Sequence, residues 1–377
     1  ETNAKFRDLS AWYHIVLAID TTQGTDTNRI KLYVNGSQIT SFSSASYPSQ
    51  NNDMNSFNNA EAQHIGRLSS SSYFSGYIAE VNFIDGLALT PSSFGEMKGV
   101  WIAKDTSGLT FGNQGYRLQM KQTGVGTAST STIGADTSGN TNHWTSGNIV
   151  ADDCSILDSP ENSFCTLNPL IPIPSGTISQ GNLEYVRGSE TGHGSAGATF
   201  ALPTTGKWYW EVRSGSSANN EAIGVANILD HNPQLPGGGN EIGSRAGDYI
   251  YRSNAKKVSG ASTESYGASF SASDVIGVAW SSDDGTITFY KNNASQGTAY
   301  SSIPQVEGKY VPAISQAETS SETPVNFGQE SSFTSHKTAQ GNTDGNGIGD
   351  FYYAPPSGYL ALCTANLPEP TIGANSD

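Results

Sequence analysis

The sequence is poor in charge, in cysteine and in long apolar runs. Charged residues make up 14% of its 377 residues, against about a quarter in an average soluble protein. No stretch approaches the roughly 18 apolar residues of a membrane-spanning helix, and no charged-then-apolar signal segment opens the chain. Three cysteines are too few for a disulfide framework. We therefore expect neither membrane insertion nor a fold that depends on disulfides.

The charge that is present is mostly acidic. Lys and Arg number 19 against 34 Asp and Glu, which gives a net charge of −15. The basic residues are scattered, so a phosphate-binding surface is not expected and nucleic acid is excluded as a partner. The sequence also contains no H-E-x-x-H, G-x-S-x-G or phosphate-binding G-x-x-x-x-G-K motif. These common catalytic and nucleotide-binding patterns are therefore absent.

Glycine, aromatic residues and short runs of alternating polarity are abundant instead. The chain has 42 Gly, 17 Tyr and 6 Trp, a composition typical of β-structure with many tight turns. Asn35-Gly36 predicts a type I′ hairpin, because both residues tolerate positive φ. Trp208 and Trp210 alternate along a strand, which predicts that both indoles face a core. Strands are predicted at residues 11–20, 29–39, 63–68, 76–84, 115–120, 207–213, 222–228, 248–252, 274–280 and 286–290.

Prolines mark a junction between two β-rich regions. The prolines at positions 160, 169, 172 and 174 fix φ and remove backbone donors, which predicts a linker. We predict an all-β fold of two antiparallel β-sandwiches. The predicted divisions are a first sandwich (1–98), an irregular β or linker region (99–181), a second sandwich (182–330) and a C-terminal extension (331–377). The chain begins with Glu1 rather than Met, so we expect it to be part of a longer polypeptide.

The three cysteines leave two readings open. Cys154 and Cys165 are close enough in sequence to form a disulfide, which would leave Cys363 unpaired. Three free thiols are the equally supported alternative.

The first β-rich region resembles a laminin-G-like module, a concanavalin-type jelly roll. The resemblance rests on the YVNG hairpin (33–36), the IGR segment (65–67) and the GYIAEVNFIDG segment (76–86). It covers about residues 6–97. It implies that the opening strands of the sandwich would precede Glu1, and that the first sandwich lacks them here.

The second region resembles a SPRY domain, which is also a concanavalin-like sandwich. The matching segments, in family order, are GKWYWEVR (206–213), IGVAN (223–227), DVIGVAWSSDDGTITFYKNN (274–293), YVPAIS (310–315) and VNFG (325–328). The order of the two modules, with SPENSFCTLNPL (159–170) and FYYAPPSGYLALCTANLPEP (351–370), is similar to virion proteins of tailed phages from aquatic bacteria. That resemblance implies a tail-fibre or appendage protein, extracellular and virion-borne, whose partners are copies of itself or other virion proteins.

Glycan binding is the first candidate activity that these resemblances imply. SPRY domains hold partners with loops at one end of the sandwich, and concanavalin-type sandwiches often bind sugars. Aromatic rings suit pyranose faces, and Asn, Asp and Arg suit sugar hydroxyls. The expected ligand is bacterial surface polysaccharide. The candidate ligand-binding residues are Asp230, His231, Asn232, Tyr249, Tyr251 and Arg252.

A calcium loop is a second candidate, and Ca²⁺ is the one cofactor that the sequence suggests. Oxygen-bearing side chains alternate with glycines, as calcium loops require, and the pattern resembles thrombospondin-like calcium repeats. The candidate ligands are Asn342, Asp344, Asn346 and Asp350. The loop lacks the bidentate Glu of an EF-hand, so a Gly-rich connector without metal is the alternative.

An enzyme is the least favoured class. A retaining glucanase needs two carboxylates about 5 Å apart on one sheet face. The nearest pattern is Glu80-Val-Asn82-Phe-Ile-Asp85, in which an amide replaces the middle carboxylate and Asp85 falls in a turn. We expect a non-enzymatic protein that adheres to glycans or to neighbouring subunits. The alternatives are a purely structural, self-assembling filament or shell subunit and, less favoured, a glycoside hydrolase.

Overall fold

The computed structural model describes residues 1–54, 62–68, 72–98, 100–154, 156–171, 176–189, 192–215, 221–229, 241–260 and 262–368. Within these ranges the chain is β-structure with three short 3-10 turns, so the predicted all-β fold is confirmed. It divides into two compact units, Glu1–Glu161 and Asn162–Asp377, and the division falls inside the predicted linker region. None of the helical segments in the described ranges is long and apolar enough to span a bilayer.

The first unit contains small antiparallel sheets. Its strands are β1 (Ile15–Ile19), β2 (Ile30–Val34), β3 (Ser37–Gln38), β4 (Val81–Phe83), β5 (Gly95–Lys98), β6 (Val100–Ala103) and β7 (Tyr116–Leu118), with 3-10 turns at Asp26–Asn28, Pro91–Ser93 and Ala151–Cys154. One sheet has the order β1-β2-β3, while β4 pairs with β7 and β5 with β6. The strand predicted at 63–68 is wrong, because its described residues contribute only an isolated bridge from Arg67 to Tyr73.

The hairpin between β2 and β3 is the one predicted from Asn35-Gly36. Both residues have left-handed φ values, 47° and 78°, as a type I′ turn requires. Gly36 has a second role, because a Cβ there would lie 2.3 Å from the ring of Trp101. The turn residue therefore also leaves room for an indole to pack against the hairpin.

The β1–β2 ribbon has two unlike faces. Val16 is buried, and the neighbouring His14 ring lies 5.2 Å from Trp101 and 6.2 Å from Phe94. On the opposite face, Ile15 is 63% exposed and Leu17 is 50% exposed. Directly opposed residues of antiparallel strands share a face. The register therefore assembles one apolar face from Ile15, Leu17, Ile19, Ile30, Leu32 and Val34.

The second unit contains two large sheets whose strand pairs are antiparallel, apart from one parallel pair formed by the last strand. Its strands are β8 (Gly176–Ser179), β9 (Glu184–Arg187), β10 (Gly194–Gly197), β11 (Lys207–Arg213), β12 (Ala222–Asn227), β13 (Tyr249–Arg252), β14 (Lys256–Ser259), β15 (Ser262–Ser265), β16 (Val275–Ser281), β17 (Thr286–Lys291), β18 (Ala294–Tyr300), β19 (Tyr310–Gln316), β20 (Glu322–Asn326) and β21 (Leu360–Ala361). One sheet has the order β10-β19-β12-β13-β14-β15. The other has the order β18-β17-β16-β11-β20-β9-β8, with β21 pairing with β11.

The two sheets pack face to face and enclose an aromatic core. Trp208 and Trp210 of β11 are buried in it, as their alternation predicts, and Ile223 of the other sheet belongs to the same cluster. Trp280 and Phe289 are two further large side chains of this cluster. A β-sandwich is therefore confirmed for the second unit, with its interior filled by alternate residues of each strand.

The outer face of the larger sheet is buried as well where β11 lies. Tyr209 packs there against Phe351, with ring centroids 5.4 Å apart. The neighbouring Glu211 is fully buried, and its carboxylate accepts hydrogen bonds from the backbone N–H groups of Tyr352 and Tyr353, each at 2.8 Å. The segment predicted as a C-terminal extension thus forms a further layer on the sandwich.

All three cysteines are free thiols in the structure. Cys165 lies in the sandwich core and Cys363 in the layer that covers the outer face. Burial raises the pKa of the Cys165 thiol to about 12. The alternative of three unpaired thiols is therefore the one the structure contains.

Two buried carboxyls predict how stability depends on pH. Burial raises the pKa of Glu211 and of Glu221 from 4.5 to about 7. Between these values the folded protein holds protons that the unfolded chain has released, so the free energy of unfolding falls as pH rises. We expect a lower midpoint of chemical denaturation at about pH 8 than at about pH 5.

Glu221→Gln is the matching variant, because an amide replaces a protonated carboxyl of the same shape. The hydroxyls of Ser214 and Thr323 that now donate to Glu221 can equally accept from the amide. The variant should lose less stability than the wild type between the two pH values. Identical pH profiles for the two proteins would contradict the assignment.

Candidate functional site

The residues predicted to bind a ligand separate into two groups. Asp230, His231 and Asn232 lie outside the described residues. Tyr249, Tyr251 and Arg252 all lie on β13, whose alternation sends the tyrosines and the arginine to opposite faces of the sheet.

The two tyrosines face the interior of the sandwich. Tyr251 is fully buried, its hydroxyl donates to the carbonyl of Ala268, and its ring lies 4.9 Å from Phe270. Tyr249 is half-buried, with its ring 5.1 Å from Tyr300. Tyr251 therefore offers no surface to a ligand, which corrects its place in the predicted set, whereas part of Tyr249 remains accessible.

Arg252 lies on the outer face in a two-pronged ion pair. Its Nε donates to Glu241 Oε1 at 2.7 Å, and its Nη2 donates to Glu241 Oε2. Two parallel N–H···O bonds fix both side chains in one plane. Burial raises the pKa of Glu241, and the Arg252 guanidinium opposes that rise. The two opposite charges of the pair are both largely shielded from water.

His193 also approaches this pair, from a position just before β10, the edge strand of the same sheet. Its Nε2 lies 4.0 Å from Glu241 Oε2. Burial lowers the pKa of His193, as do the positive charges of Arg252 and Arg187. Below we call His193, Glu241 and Arg252 the polar cluster. It combines a neutral imidazole with a balanced ion pair, a donor and acceptor set that suits uncharged hydroxyl groups better than phosphate.

The strand register explains how distant residues meet here. Ser195 of β10 is opposite Ser315, which is opposite Ala222, which in turn is opposite Arg252. Four strands thus place these residues in one row, and the three small members of the row are buried. His193 lies two residues before Ser195, just outside β10, so this part of the sheet places His193 and Arg252 on the same face. Sequence analysis identified Arg252 as a candidate site residue but not Glu241 or His193.

The predicted calcium ligands lie together in one loop of the second unit. They are Asn342, Asp344, Asn346 and Asp350. Asp344 Oδ1 accepts from the backbone N–H groups of Asn346 and Ile348, at 2.8 and 3.0 Å. Asp350 Oδ1 accepts from the N–H of Gly341 at 3.0 Å. The carboxylates therefore serve as acceptors that shape the loop, and calcium binding there stays a prediction.

The residues of the glucanase-like pattern are not arranged along a regular strand. Glu80 has a left-handed φ of 52° and lies just before β4. Asn82 accepts a hydrogen bond from Thr106 at 3.2 Å, and Asp85 accepts one from the backbone of Gln114 at 3.1 Å. Burial raises the pKa of Glu80. Asn82 and Asp85 thus have structural partners, and the alternation assumed for the whole segment holds only from Val81 to Phe83.

Within the described ranges, one other group of side chains is arranged like metal ligands. Glu184, Glu322 and His336 each present one ligand atom, and these atoms lie within 4.8 Å of one another.

Comparison with known families identifies both modules. Residues 1–94 match the concanavalin A-like lectin/glucanases superfamily in its laminin-G form. Residues 207–330 match the SPRY domain. The chain therefore contains a laminin-G-like, concanavalin-like module followed by a SPRY domain, and both predicted resemblances are confirmed. The SPRY match begins at β11, so β8 to β10 and the segment over the outer face lie outside it.

Solved structures of SPRY domains are among those similar to the chain. The SPRY domain of human HERC1 is 16% identical with a TM-score of 0.35, and the match covers 42% of this chain and 96% of that one. Another human SPRY domain is 17% identical with a TM-score of 0.33, covering 41% of this chain and 96% of the other.

The polar cluster predicts a double-mutant result. Arg252→Ala leaves the shielded Glu241 carboxylate without its partner, which should cost about 2 kcal/mol of stability. Glu241→Ala should cost a similar amount of stability, because it leaves the Arg252 guanidinium without its carboxylate partner. In the double variant the two losses should overlap by at least about 1 kcal/mol, as measured by denaturant unfolding. Strictly additive losses would show that the pair contributes no coupling.

Proposed function

We propose that the protein is a structural, non-enzymatic component of a tailed-phage virion appendage that joins subunits and adheres to host-surface glycans. The observation that carries this proposal is the apolar face on the β1–β2 ribbon. The order of the two modules and the segments 159–170 and 351–370, which resemble phage virion proteins, support the setting. An extracellular, virion-borne location follows from the same proposal.

The apolar face has the character of an association surface. It presents six aliphatic side chains in register on one side of two strands, with Ile15 and Leu17 at least half exposed. Scattered exposed apolar residues are ordinary, but a contiguous patch is typical of a protein–protein contact. Among the described residues β1 is also an edge strand of its sheet, and edge strands are common sites of strand pairing. We infer that copies of this chain or other virion proteins cover the face.

The adhesive part of the proposal rests on the SPRY domain. The polar cluster supplies hydrogen-bond donors and acceptors on a surface at the outer face of its sheet, and Tyr249, on the opposite face, would contribute a separate aromatic contact. With few charges overall, such a surface suits neutral polysaccharide, and many copies in one assembly would add weak contacts through multivalency.

A purely structural role without a glycan ligand is the second candidate. The apolar face supports this structural role equally well, because a structural role requires only contacts between subunits. A glycoside hydrolase of concanavalin-like fold is less favoured, because Asn82 stands where such enzymes carry a carboxylate.

If the apolar face is an association surface, a substitution within it should weaken association. Leu17→Ser removes an exposed leucine from the centre of the apolar face, so it should weaken self-association or binding to virion partners by at least about tenfold. Sedimentation velocity over a range of concentrations measures the former. Leu229→Ser is the matched control, since Leu229 is 56% exposed but lies in the second unit. A wild-type protein that stays monomeric and captures no virion protein would contradict the proposal.

Glycan adhesion separates the two candidates. A multivalent preparation applied to an array of bacterial polysaccharides should give binding to neutral glycans. Arg252→Ala should abolish that signal while leaving the sedimentation behaviour unchanged. An array without any signal would remove the adhesive function and leave the structural one.

A further inference from the structure

Glu184 and Glu322 project from the same face of the larger sheet of the second unit. β9 and β20 are antiparallel neighbours, with Glu184 opposite Pro324 and Val186 opposite Glu322. The two glutamates are therefore diagonal neighbours, a relation in which side chains of this length can meet. Tyr185 follows Glu184 along β9, so its side chain points to the opposite face of the sheet and into the core. Both carboxylates thus face outward, away from the sandwich interior.

An unusual turn brings His336 to these carboxylates. Phe333, Thr334 and Ser335 all have left-handed φ values, 52°, 55° and 68°, which cost energy for residues other than glycine. The carboxylate of Glu330 accepts the backbone N–H groups of Ser332 and Thr334 at 2.6 and 2.7 Å. The buried ring of Phe333 anchors the same turn.

The three ligand atoms are spaced as a metal ion requires. His336 Nε2 lies 3.0 Å from Glu184 Oε2 and 3.5 Å from Glu322 Oε2. Two ligands about 2.1 Å from one zinc ion at a tetrahedral angle are about 3.4 Å apart. These two separations bracket the zinc value, and the ligand atoms of the two glutamates lie within 4.8 Å of each other.

A second layer of hydrogen bonds orients the most buried ligand. Ser179 Oγ donates to Glu184 Oε1 at 3.3 Å, and Thr334 Oγ1 donates to Glu184 Oε2 at 3.1 Å. Such outer partners are what hold ligating carboxylates in place in metal sites. The His336 side chain is 25% exposed and that of Glu322 is 51% exposed. Solvent therefore reaches the group and can supply the remaining ligand.

We propose that Glu184, Glu322 and His336 form a binding site for a divalent transition-metal ion of the zinc type, with water in the fourth position. The imidazole nitrogen favours zinc over Ca²⁺ and Mg²⁺, which take oxygen ligands. With a neutral imidazole the group carries two negative charges, and the guanidinium of Arg213, which attracts both glutamates electrostatically, offsets one of them. A bound ion would tie β9, β20 and the turn after β20 together.

Titration of the full chain with ZnCl₂ by calorimetry, and with Co²⁺ by visible absorption, tests the site. One equivalent should bind, and the Co²⁺ spectrum should be that of a four-coordinate ion. His336→Gln should weaken the affinity by at least about a hundredfold. Zn²⁺ should also raise the unfolding temperature of the wild type but not that of this variant.

Two further variants make the result decisive. Glu322→Gln keeps the shape of a half-exposed side chain, and an unfolding temperature equal to that of the wild type without metal would attribute its loss of affinity to the ligand itself. His64→Gln removes an exposed histidine of the first unit, which bonds to Arg67, and it should bind Zn²⁺ like the wild type. No saturable binding below about 100 µM, or binding unaffected by His336→Gln, would reduce the group to an ion-paired histidine between two glutamates.

Discussion

The second unit depends on β11 being buried on both of its faces. Trp208 and Trp210 fill the sandwich interior, while Tyr209 and Glu211 lie under the segment that follows the SPRY match. A carboxylate in such a place is tolerated only if donors satisfy it. The backbone of residues 352 and 353 and the amide of Asn326 provide them. The segment around Tyr352 and Tyr353, which covers this face of β11, is thus held to the sheet by a polar contact within an otherwise apolar layer.

Local patterns predicted the fold where the stabilising contacts are local or strictly periodic. Strand β11 spans the same residues that its alternation predicts, and the Asn35-Gly36 turn has the expected conformation because only its own backbone decides it. The cover over Glu211 was not predicted. A glutamate on the polar side of a strand reads as a solvent-facing residue, and nothing within ten residues indicates that residues more than 140 positions later will bury it.

The candidate site was predicted only in part, for a related reason. Residue type identified Arg252, but His193 comes from beside β10, and the strand order that places β10 and β13 in one sheet is not legible in one sequence. Tyr251 is wrongly included among the ligand-binding residues because its residue type suits a sugar, whereas the alternation of β13 points its side chain into the core. In the loop containing Asp344, the spacing of acidic residues and glycines is the same whether the carboxylate accepts from backbone N–H groups or binds a cation, so the sequence cannot separate the two.

The dependence of β11 on the C-terminal layer also sets an order of events during synthesis. β11 and its neighbours β16 and β20 leave the ribosome well before residues 351–361, so the sheet first forms with one apolar face and a carboxylate open to water. Closure of that face must be a late step between sequence-distant parts, a kind of step that is slow and prone to wrong association. A nascent chain stalled before residue 351 would therefore be a natural client for chaperones, although Leu362 is the one buried member of the sandwich interior that it still lacks.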